Sequence, residues 1–223
     1  MSIFDEELRA LREKVLKLGS MVEKAIGDSV RSLVERNSDL AREVINKDHQ
    51  INALEVEIDE ECIRLMALRQ PKAGDLRFIT IAMKITTDLE RMGDLAVNIA
   101  ERAIELNEEP QLKPYIDIPR MAEIAEGMVR DALDAFVKKC SKIPYEVLKQ
   151  DDEVDKLTVQ VFNELLLYMI QDPRTISRAT RITYVSKYLE RIADHATNIA
   201  ELVVYLCEGK IIRHLEVPET PSI

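Results

Sequence analysis

The sequence predicts an all-α protein in which six long helices form two pseudo-symmetric, antiparallel three-helix bundles. Three observations favour this fold class. Apolar residues recur at helical spacing through nearly the whole chain. Of the 223 residues only 6 are Gly and 8 are Pro, and aromatic residues make up 4%, so the composition suits long helices rather than sheets. A sequence motif also occurs twice, with one copy in each half of the chain.

The first half of the chain predicts three helices. Apolar residues at steps of three and four place the first helix at about residues 4–36, and Ser38 is the expected N-cap of the second. The second helix extends to about residue 69, where Pro71 starts a turn. The third helix is expected at about residues 75–106. Its core face should carry Ile81, Ile85, Met92, Ala96, Ile99 and Ala103.

A proline-rich segment separates the two halves. Residues 108–119 hold three prolines and show little periodicity, which is typical of a linker. The sequence therefore predicts a first repeat at residues 1–107, a second at 120–208 and a C-terminal tail at 209–223.

The helical pattern returns after this segment. Helices are expected at about residues 120–141, 145–171 and 175–208, with proline-containing turns between them. Short turns make neighbouring helices antiparallel. The last helix should present a core face of Val185, Leu189, Ile192, Ala196, Ile199 and Val203.

Charge and composition exclude several classes of partner. The net charge of −10 repels nucleic-acid backbones, so no nucleic-acid partner is expected. No run approaches the ~20 apolar residues of a membrane span, and the N-terminus lacks an apolar run of signal length, so membrane insertion is not expected. Three widely spaced cysteines without a metal-binding spacing indicate a cytoplasmic protein with reduced thiols.

The repeated motif consists of residues 89–101, LERMGDLAVNIAE, and residues 189–201, LERIADHATNIAE. Five polar residues recur one hundred positions later in the chain. They are Glu90, Arg91, Asp94, Asn98 and Glu101 in the first copy, and Glu190, Arg191, Asp194, Asn198 and Glu201 in the second.

Each copy places a polar row on its helix, on the side opposite the apolar face. At about 100° per residue, the acidic and amide side chains of each copy fall within about 80° of one another. Acids at positions i and i+4 repel each other, and a bound cation would reverse that repulsion. Oxygen-only ligands suit hard or borderline cations such as Mg, Ca, Mn or iron. A solvated polar face is the other interpretation of each row.

A metal site needs ligands from a second helix, and both halves offer them. Asp48 and Asn52 lie on one flank of the second helix, together with Glu55 and Asp59, while the fifth helix offers Asp151 and Asp155. For Asp48 and Asp151, a role at a helix start or kink is an equal alternative. His195 is expected to be a half-buried packing residue. The predicted sites combine Asp48 and Asn52 with Glu90 and Asp94, and Asp151 and Asp155 with Glu190 and Asp194.

The repeated motif, together with the preceding stretch QPKAGDLRFITIAMKITTD, resembles the PhoU family of regulators of bacterial phosphate uptake, and the likeness covers residues of about 4–208. This resemblance implies two three-helix bundles, a cytoplasmic location and no catalysis. It also implies surface metal sites, as multinuclear iron or with Zn, Mn or Mg, built from Glu/Asp-x-x-x-Asp pairs. Those pairs are Glu90 with Asp94, Glu190 with Asp194, and Asp151 with Asp155. Asn52 departs from the pattern in the first half.

The resemblance further implies an adaptor function. Family members are expected to act between the ATPase subunit of the phosphate ABC transporter and a sensor histidine kinase, and to keep the phosphate-starvation response off when phosphate is plentiful. Exposed helix faces would also support a homodimer. Two alternatives remain: a metal-free helical docking protein, and a carboxylate-bridged metalloenzyme. The second is disfavoured because the rows lack histidine and point away from the core.

Overall fold

A computed structural model describes residues 3–138 and 142–211 of the chain. Within these two ranges the protein is all-α, with no strand, as predicted. No helix in this part of the chain is long and apolar enough to cross a membrane. A 3₁₀ turn at Pro173–Thr175 leads into the last helix. The helices are α1 (Ile3–Val34), α2 (Ser38–Arg69), α3 (Ala73–Asn107), α4 (Asp117–Lys138), α5 (Lys142–Gln171) and α6 (Ile176–Glu208).

Two helices of the second half begin earlier than predicted. α4 starts at Asp117 and α5 at Lys142, each about three residues before the expected position, so α4 includes the end of the segment predicted as a linker. The prolines caused this error, because Pro119 and Pro144 both lie in a first helical turn. Proline is tolerated there, since those N–H groups have no partner within the helix.

The N-cap of α2 is Asn37 rather than Ser38. The Asn37 side chain accepts a hydrogen bond from the backbone N–H of Leu40 at 3.1 Å, and Ser38 is the first helical residue. The Ser38 hydroxyl instead accepts a hydrogen bond from the Asn107 side chain at 3.2 Å. A serine predicted to cap its own helix therefore joins the start of α2 to the end of α3.

The six helices pack as two bundles that share a centre. α1, α2 and α3 contact one another, and so do α4, α5 and α6. Between the halves, α1 packs against α4 and α3 packs against α6. Among the described residues, α2 and α5 contact no helix of the other half, so they are the two outermost helices. The buried side chains of both halves form one continuous apolar core.

The predicted core faces of α3 and α6 are confirmed, because every residue assigned to them is buried. α3 also buries residues outside the predicted face, including Phe78, Leu89 and Leu95. The reason is that α3 lies against α1, α2 and α6, so more than one side of the helix is covered. A prediction of one apolar face suits a helix that is covered on one side, and it underestimates the burial of a helix such as α3 that is covered on several.

The contacts between the halves show that paired helices run in opposite directions. Arg181, near the start of α6, donates a hydrogen bond to Glu105, near the end of α3, at 2.7 Å. Arg130 of α4 donates to Glu23 of α1 at 3.1 Å. Such partly exposed ion pairs each contribute about 0–1 kcal/mol, so the shared apolar core holds the halves together.

Cys62 and Cys207 form no disulfide, and Cys140 lies outside the described residues. Cys62 is fully buried in α2. Burial raises the pKa of its thiol to about 12. The Cys62 thiol is therefore protonated at neutral pH and acts as a small apolar core residue.

Glu126 is a half-buried acid in the contact between α4 and α1. Its carboxylate lies so close to the Gly27 backbone that a Cβ at position 27 would stand 3.2 Å from Oε1. Burial and, next, the neighbouring Glu23 carboxylate, opposed by Arg130, together raise the pKa of Glu126 to about 6. Folding therefore favours the protonated form of Glu126 more than the unfolded chain does, although the carboxyl is still mostly ionised at neutral pH.

Changing Glu126 to Gln is expected to stabilise the protein at pH 7.5 but not at pH 4. Because the pKa of Glu126 is raised in the folded protein, its contribution to the free energy of unfolding falls as pH rises from about 4.5 to 6. Above that pH the contribution stays constant. The variant should gain on the order of 1 kcal/mol at pH 7.5 after allowance for solvent screening. Urea unfolding at both pH values, with exposed Glu60→Gln of α2 as the control, measures this difference. An equal effect at the two pH values would contradict it.

Candidate functional site

α2 and α3 bring together four carboxylates, which we name the first acidic cluster: Asp48, Glu55, Glu90 and Asp94. Burial raises the pKa of Asp48, and the negative charge of Asp94 raises it further. Burial also raises the pKa of Glu90, and the charges of Asp94, Glu55 and Asp48 add to the effect. These carboxylates therefore lie close enough to repel one another across the groove between the two helices.

The first acidic cluster contains carboxylate and amide oxygens without partners. The Asn52 side chain donates a hydrogen bond to Asp48 Oδ2 at 2.9 Å. Asp48 Oδ1 and Asn52 Oδ1 are buried and accept no hydrogen bond within the protein. Leaving a buried polar atom unpaired costs roughly 1–3 kcal/mol, so a cation or a hydrogen-bond donor at this position would be stabilising.

α5 and α6 form the corresponding second acidic cluster: Asp151, Asp155, Glu190 and Asp194. Burial raises the pKa of Asp151 to about 6, and the charges of Asp155 and Asp194 contribute. Burial also raises the pKa of Asp155 and of Asp194, and in both cases the Glu190 charge contributes next. Lys187 forms an ion pair with Glu190 at the edge of the cluster.

The two clusters differ where the repeats have diverged. Asn52 stands at the position of Asp155, so the first half has an amide donor where the second has a negative charge. Glu55 was not among the predicted ligands. It adds a negative charge to the first acidic cluster, and this charge acts on Glu90. The signal for Glu55 was its position seven residues after Asp48, two helical turns along the same side of α2.

The remaining residues of each predicted row lie further along their helices. Asn98 and Glu101 follow Asp94 by four and seven residues, which is about 6 and 10 Å along α3. Glu101 is exposed, and its carboxylate lies 3.7 Å from Arg102. In α6, Glu201 is half-buried and Asn198 turns toward α3. Only the N-terminal residues of each polar row therefore belong to the clusters, namely Glu90 and Asp94 in α3 and Glu190 and Asp194 in α6.

A polar contact between α3 and α6 was missed by the sequence analysis. Asp88 Oδ1 lies 2.8 Å from His195 Nδ1 and accepts a hydrogen bond from Asn198 at 3.4 Å. His195 is half-buried, as predicted, but its contact with Asp88 was not predicted. Tyr188 occupies the position of Asp88 in the second repeat, so comparison of the repeats could not reveal this aspartate.

The clusters fit a hard cation by the type of their donor atoms. All of their donors are oxygens, two helices contribute to each cluster, and Asp48 Oδ1 has no other partner. In the described part of the chain, no three His, Cys, Asp or Glu side chains converge tightly enough to enclose a metal ion. Glu90 and Asp94 are 25% and 43% exposed, so both have room to turn toward a shared ligand.

The chain contains two matches to the family model described as the PhoU domain, at residues 15–103 and 118–203. The phosphate-specific transport system accessory protein PhoU homolog of Aquifex aeolicus is 47% identical over 98% of this chain and 99% of its own length.

Two crystal structures show the same architecture. PhoU from Pseudomonas aeruginosa superposes with a TM-score of 0.89 at 43% identity, over 93% of this chain and all of the other. The phosphate transport system regulatory protein PhoU from Streptococcus pneumoniae gives a TM-score of 0.86 at 32% identity, over 93% of this chain and 98% of the other. With both halves matched and relatives aligned along their full length, this chain belongs to the PhoU family.

Proposed function

We propose that this chain is a non-enzymatic, cytoplasmic accessory protein of phosphate-specific transport that restrains the phosphate-starvation response. The observation that carries this proposal is the 47% identity to a phosphate-specific transport accessory protein over 98% of this chain and 99% of that relative. The alignment spans nearly the whole of that relative, which supports the same role for this chain.

The proposed partners are the ATPase subunit of the phosphate ABC transporter and a sensor histidine kinase. The helix contacts run from α2 to α3, from α3 to α6 and from α6 to α5, which places the two acidic clusters on either side of the α3–α6 contact. The shared core makes this arrangement rigid. A rigid scaffold with two acidic regions suits an adaptor that docks basic surfaces of other proteins.

The acidic clusters are the proposed metal sites. Asp48, Glu90 and Asp94 would hold a cation in the first half, and Asp151, Asp155, Glu190 and Asp194 would hold one in the second. The bound metal, as a multinuclear iron cluster or as Zn, Mn or Mg, would supply positive charge that offsets the carboxylate repulsion. The protein side chains would thereby join α2 to α3 and α5 to α6.

A metal-free docking role is the second candidate. It is favoured by the finding that, within the described ranges, no three potential ligands converge on a metal position. In this form the clusters act directly as negative docking surfaces, and the raised pKa values of their carboxylates leave them responsive to a basic partner.

The test replaces the accessory protein of a host bacterium with this chain and measures a phosphate-starvation reporter during growth in abundant phosphate. The natural chain should keep the reporter off. The double change Glu190→Gln and Asp194→Asn should raise it several-fold, while exposed Glu60→Gln and Glu108→Gln should not. Pull-down of the transporter ATPase and the kinase from the same cells identifies the lost contact.

Metal analysis of the purified proteins separates the two candidates. Metal bound to the natural chain and lost from the Glu190/Asp194 variant supports the metal-dependent form. Loss of regulation without bound metal in either protein supports direct docking. A natural chain that leaves the reporter on and captures neither partner would overturn the adaptor function itself.

A further inference from the structure

A cavity of about 190 Å³ opens between α1, α2 and α3, beside Asp48. The cavity shares Asp48 with the first acidic cluster, whereas Glu55, Glu90 and Asp94 do not line it. It is therefore a separate space next to that cluster, and the metal sites proposed above do not account for it. Its apolar lining comes from all three helices and consists of Met21, Ala25, Val44, Ile51, Gly93 and Val97.

The wall of the cavity contains a carboxylate oxygen without a partner. Asp48 Oδ1 is buried and accepts no hydrogen bond from the described part of the chain. A Cβ at Gly93 would stand 3.6 Å from this oxygen and 3.3 Å from two methyl carbons of Ile51, so the oxygen lies against the wall that these residues form. The terminal torsion of an aspartate is broad, and a small rotation presents Oδ1 to a ligand. A hydrogen-bond donor in the cavity would remove the cost of the unpaired oxygen.

The other charges around the cavity cancel one another. Lys24, Lys47, Asp28 and Glu43 also line it, so Asp48 gives the lining one net negative charge. Lys47 forms an ion pair with Glu43, and the charge of Lys24 also lowers the pKa of Glu43. Asp28 is paired with an arginine of its own helix at 2.8 Å. The unpaired charge is therefore that of Asp48, which favours a cationic ligand over an anionic one.

The second repeat has different residues at this wall. Ala193 and Thr197 stand at the positions of Gly93 and Val97. An alanine methyl would take the space beside the carboxylate, and a threonine hydroxyl can donate a hydrogen bond to an aspartate, which valine cannot. The first repeat therefore has one methyl group and one donor fewer beside its aspartate. Both differences leave room and an unpaired acceptor for a ligand.

We propose that this cavity binds a small primary amine in its ammonium form, with a hydrocarbon body of about six carbons. The ammonium group donates a charge-assisted hydrogen bond to Asp48 Oδ1, and the hydrocarbon lies against Met21, Val44 and Val97. A metal ion would need several oxygen ligands, whereas most of this lining is apolar carbon. An apolar cavity of about 150 Å³ holds one benzene molecule, so this cavity is large enough for such an amine.

The bound amine contacts α1, α2 and α3 together, so its binding is coupled to the packing of the first bundle. The proposal does not rest on the phosphate-transport role or on bound metal.

Titration of the purified full-length chain with n-hexylamine at pH 7.5, followed by methyl NMR, tests the proposal. A chelator is present so that metal ions do not compete for Asp48. Hexylamine should bind with a Kd of roughly 0.1–1 mM, as expected for a ligand of about seven non-hydrogen atoms, and should shift the methyl signals of Met21, Val44, Ile51 and Val97. n-Hexanol has the same body without the charge and should bind roughly ten-fold more weakly.

Two variants separate the charge of the site from its shape. Asp48→Asn keeps the shape and should abolish the preference for hexylamine over hexanol. Asp39→Asn makes the same change at an exposed position of α2 and, as the matched control, should leave that preference intact. Gly93→Ala with Val97→Thr installs the residues of the second repeat and should weaken hexylamine binding roughly ten-fold or more, because the methyl fills the space beside Asp48 and the hydroxyl occupies its acceptor.

Circular dichroism of each variant must match that of the natural chain, which separates lost binding from misfolding. A natural chain that shows no saturable shifts with hexylamine up to about 10 mM overturns the proposal. Equal affinities for hexylamine and hexanol would overturn the ammonium contact with Asp48. Shifts confined to methyl groups elsewhere in the protein would show that the amine binds at a different place, and this cavity would then not be the site.

Discussion

Replacing Asp151 by Asn is expected to stabilise the metal-free protein at pH 7.5 and to weaken metal binding about 100-fold or more. Asp151 has the strongest evidence of repulsion in the second acidic cluster, because burial and the charges of Asp155 and Asp194 raise its pKa to about 6. The same carboxylate is a proposed metal ligand. The substitution should therefore stabilise the metal-free protein and destabilise the metal-bound protein.

The sign of the stability change follows from the raised pKa. The folded protein favours protonated Asp151, so its contribution to stability is present below about pH 4 and is lost as pH rises to about 6. Asparagine does not ionise. At pH 7.5 the variant should gain about 1–2 kcal/mol, a range that allows for screening by solvent, and at pH 3.5 it should gain almost nothing.

Urea unfolding in the presence of a chelator measures the gain in stability, and calorimetric titration with iron(II), manganese and zinc measures the loss of metal affinity. Glu60→Gln is the control, because Glu60 is exposed on α2 and belongs to neither acidic cluster. If Asp151→Asn binds metal as the natural protein does, the second acidic cluster is not the metal site. If its stability at pH 7.5 is unchanged, the carboxylates do not repel one another.

Changing Phe136 to Ala is expected to lower the free energy of unfolding by about 3–5 kcal/mol. Phe136 of α4 is fully buried, and its ring stacks on Phe78 of α3 with centroids 5.2 Å apart and planes 8° from parallel. Arg12 lies over the other ring of the pair, 5.1 Å from the Phe78 centroid. The substitution would open a cavity in the apolar core that the two halves share.

Because the rest of the shared apolar core still joins the halves in the variant, it should unfold in one cooperative transition, shifted to lower urea concentration. Circular dichroism and tyrosine fluorescence followed in parallel would reveal any separation into two steps. Ile63→Ala is the control, since Ile63 is 57% exposed and its loss should change stability by about 0.5 kcal/mol or less. Two separate transitions in the natural protein would show that the bundles fold independently.

Much of the secondary structure could be predicted because helical periodicity is a local property. The buried Leu, Val and Ile residues of α1 recur every three or four positions from Leu11 to Leu33, as the pattern predicted. Errors arose where a local signal has two interpretations. Pro119 and Pro144 break a helix interior but begin a helix equally well, and either Asn37 or Ser38 has a side chain suited to capping α2.

The candidate site was predictable to the extent that it repeats. Asp48 with Asp94, and Asp151 with Asp194, were paired from the two copies of the pattern, and the structure places each pair close together. The repeat also carried Glu101 and Glu201 into the predicted ligand set, and each lies about 10 Å beyond the cluster carboxylate on its own helix.

The six helices, the residues of their main core faces and the acidic pairs at the repeated positions could be predicted from the amino-acid pattern alone. The docking of the two halves, the contact between Asp88 and His195, and the exposed apolar side of α5 could be seen only in the folded protein. The physical reason is the range of the interactions. Helix formation and amphipathic spacing depend on neighbours within about four residues, whereas these contacts join helices whose register is set by packing of the shared core.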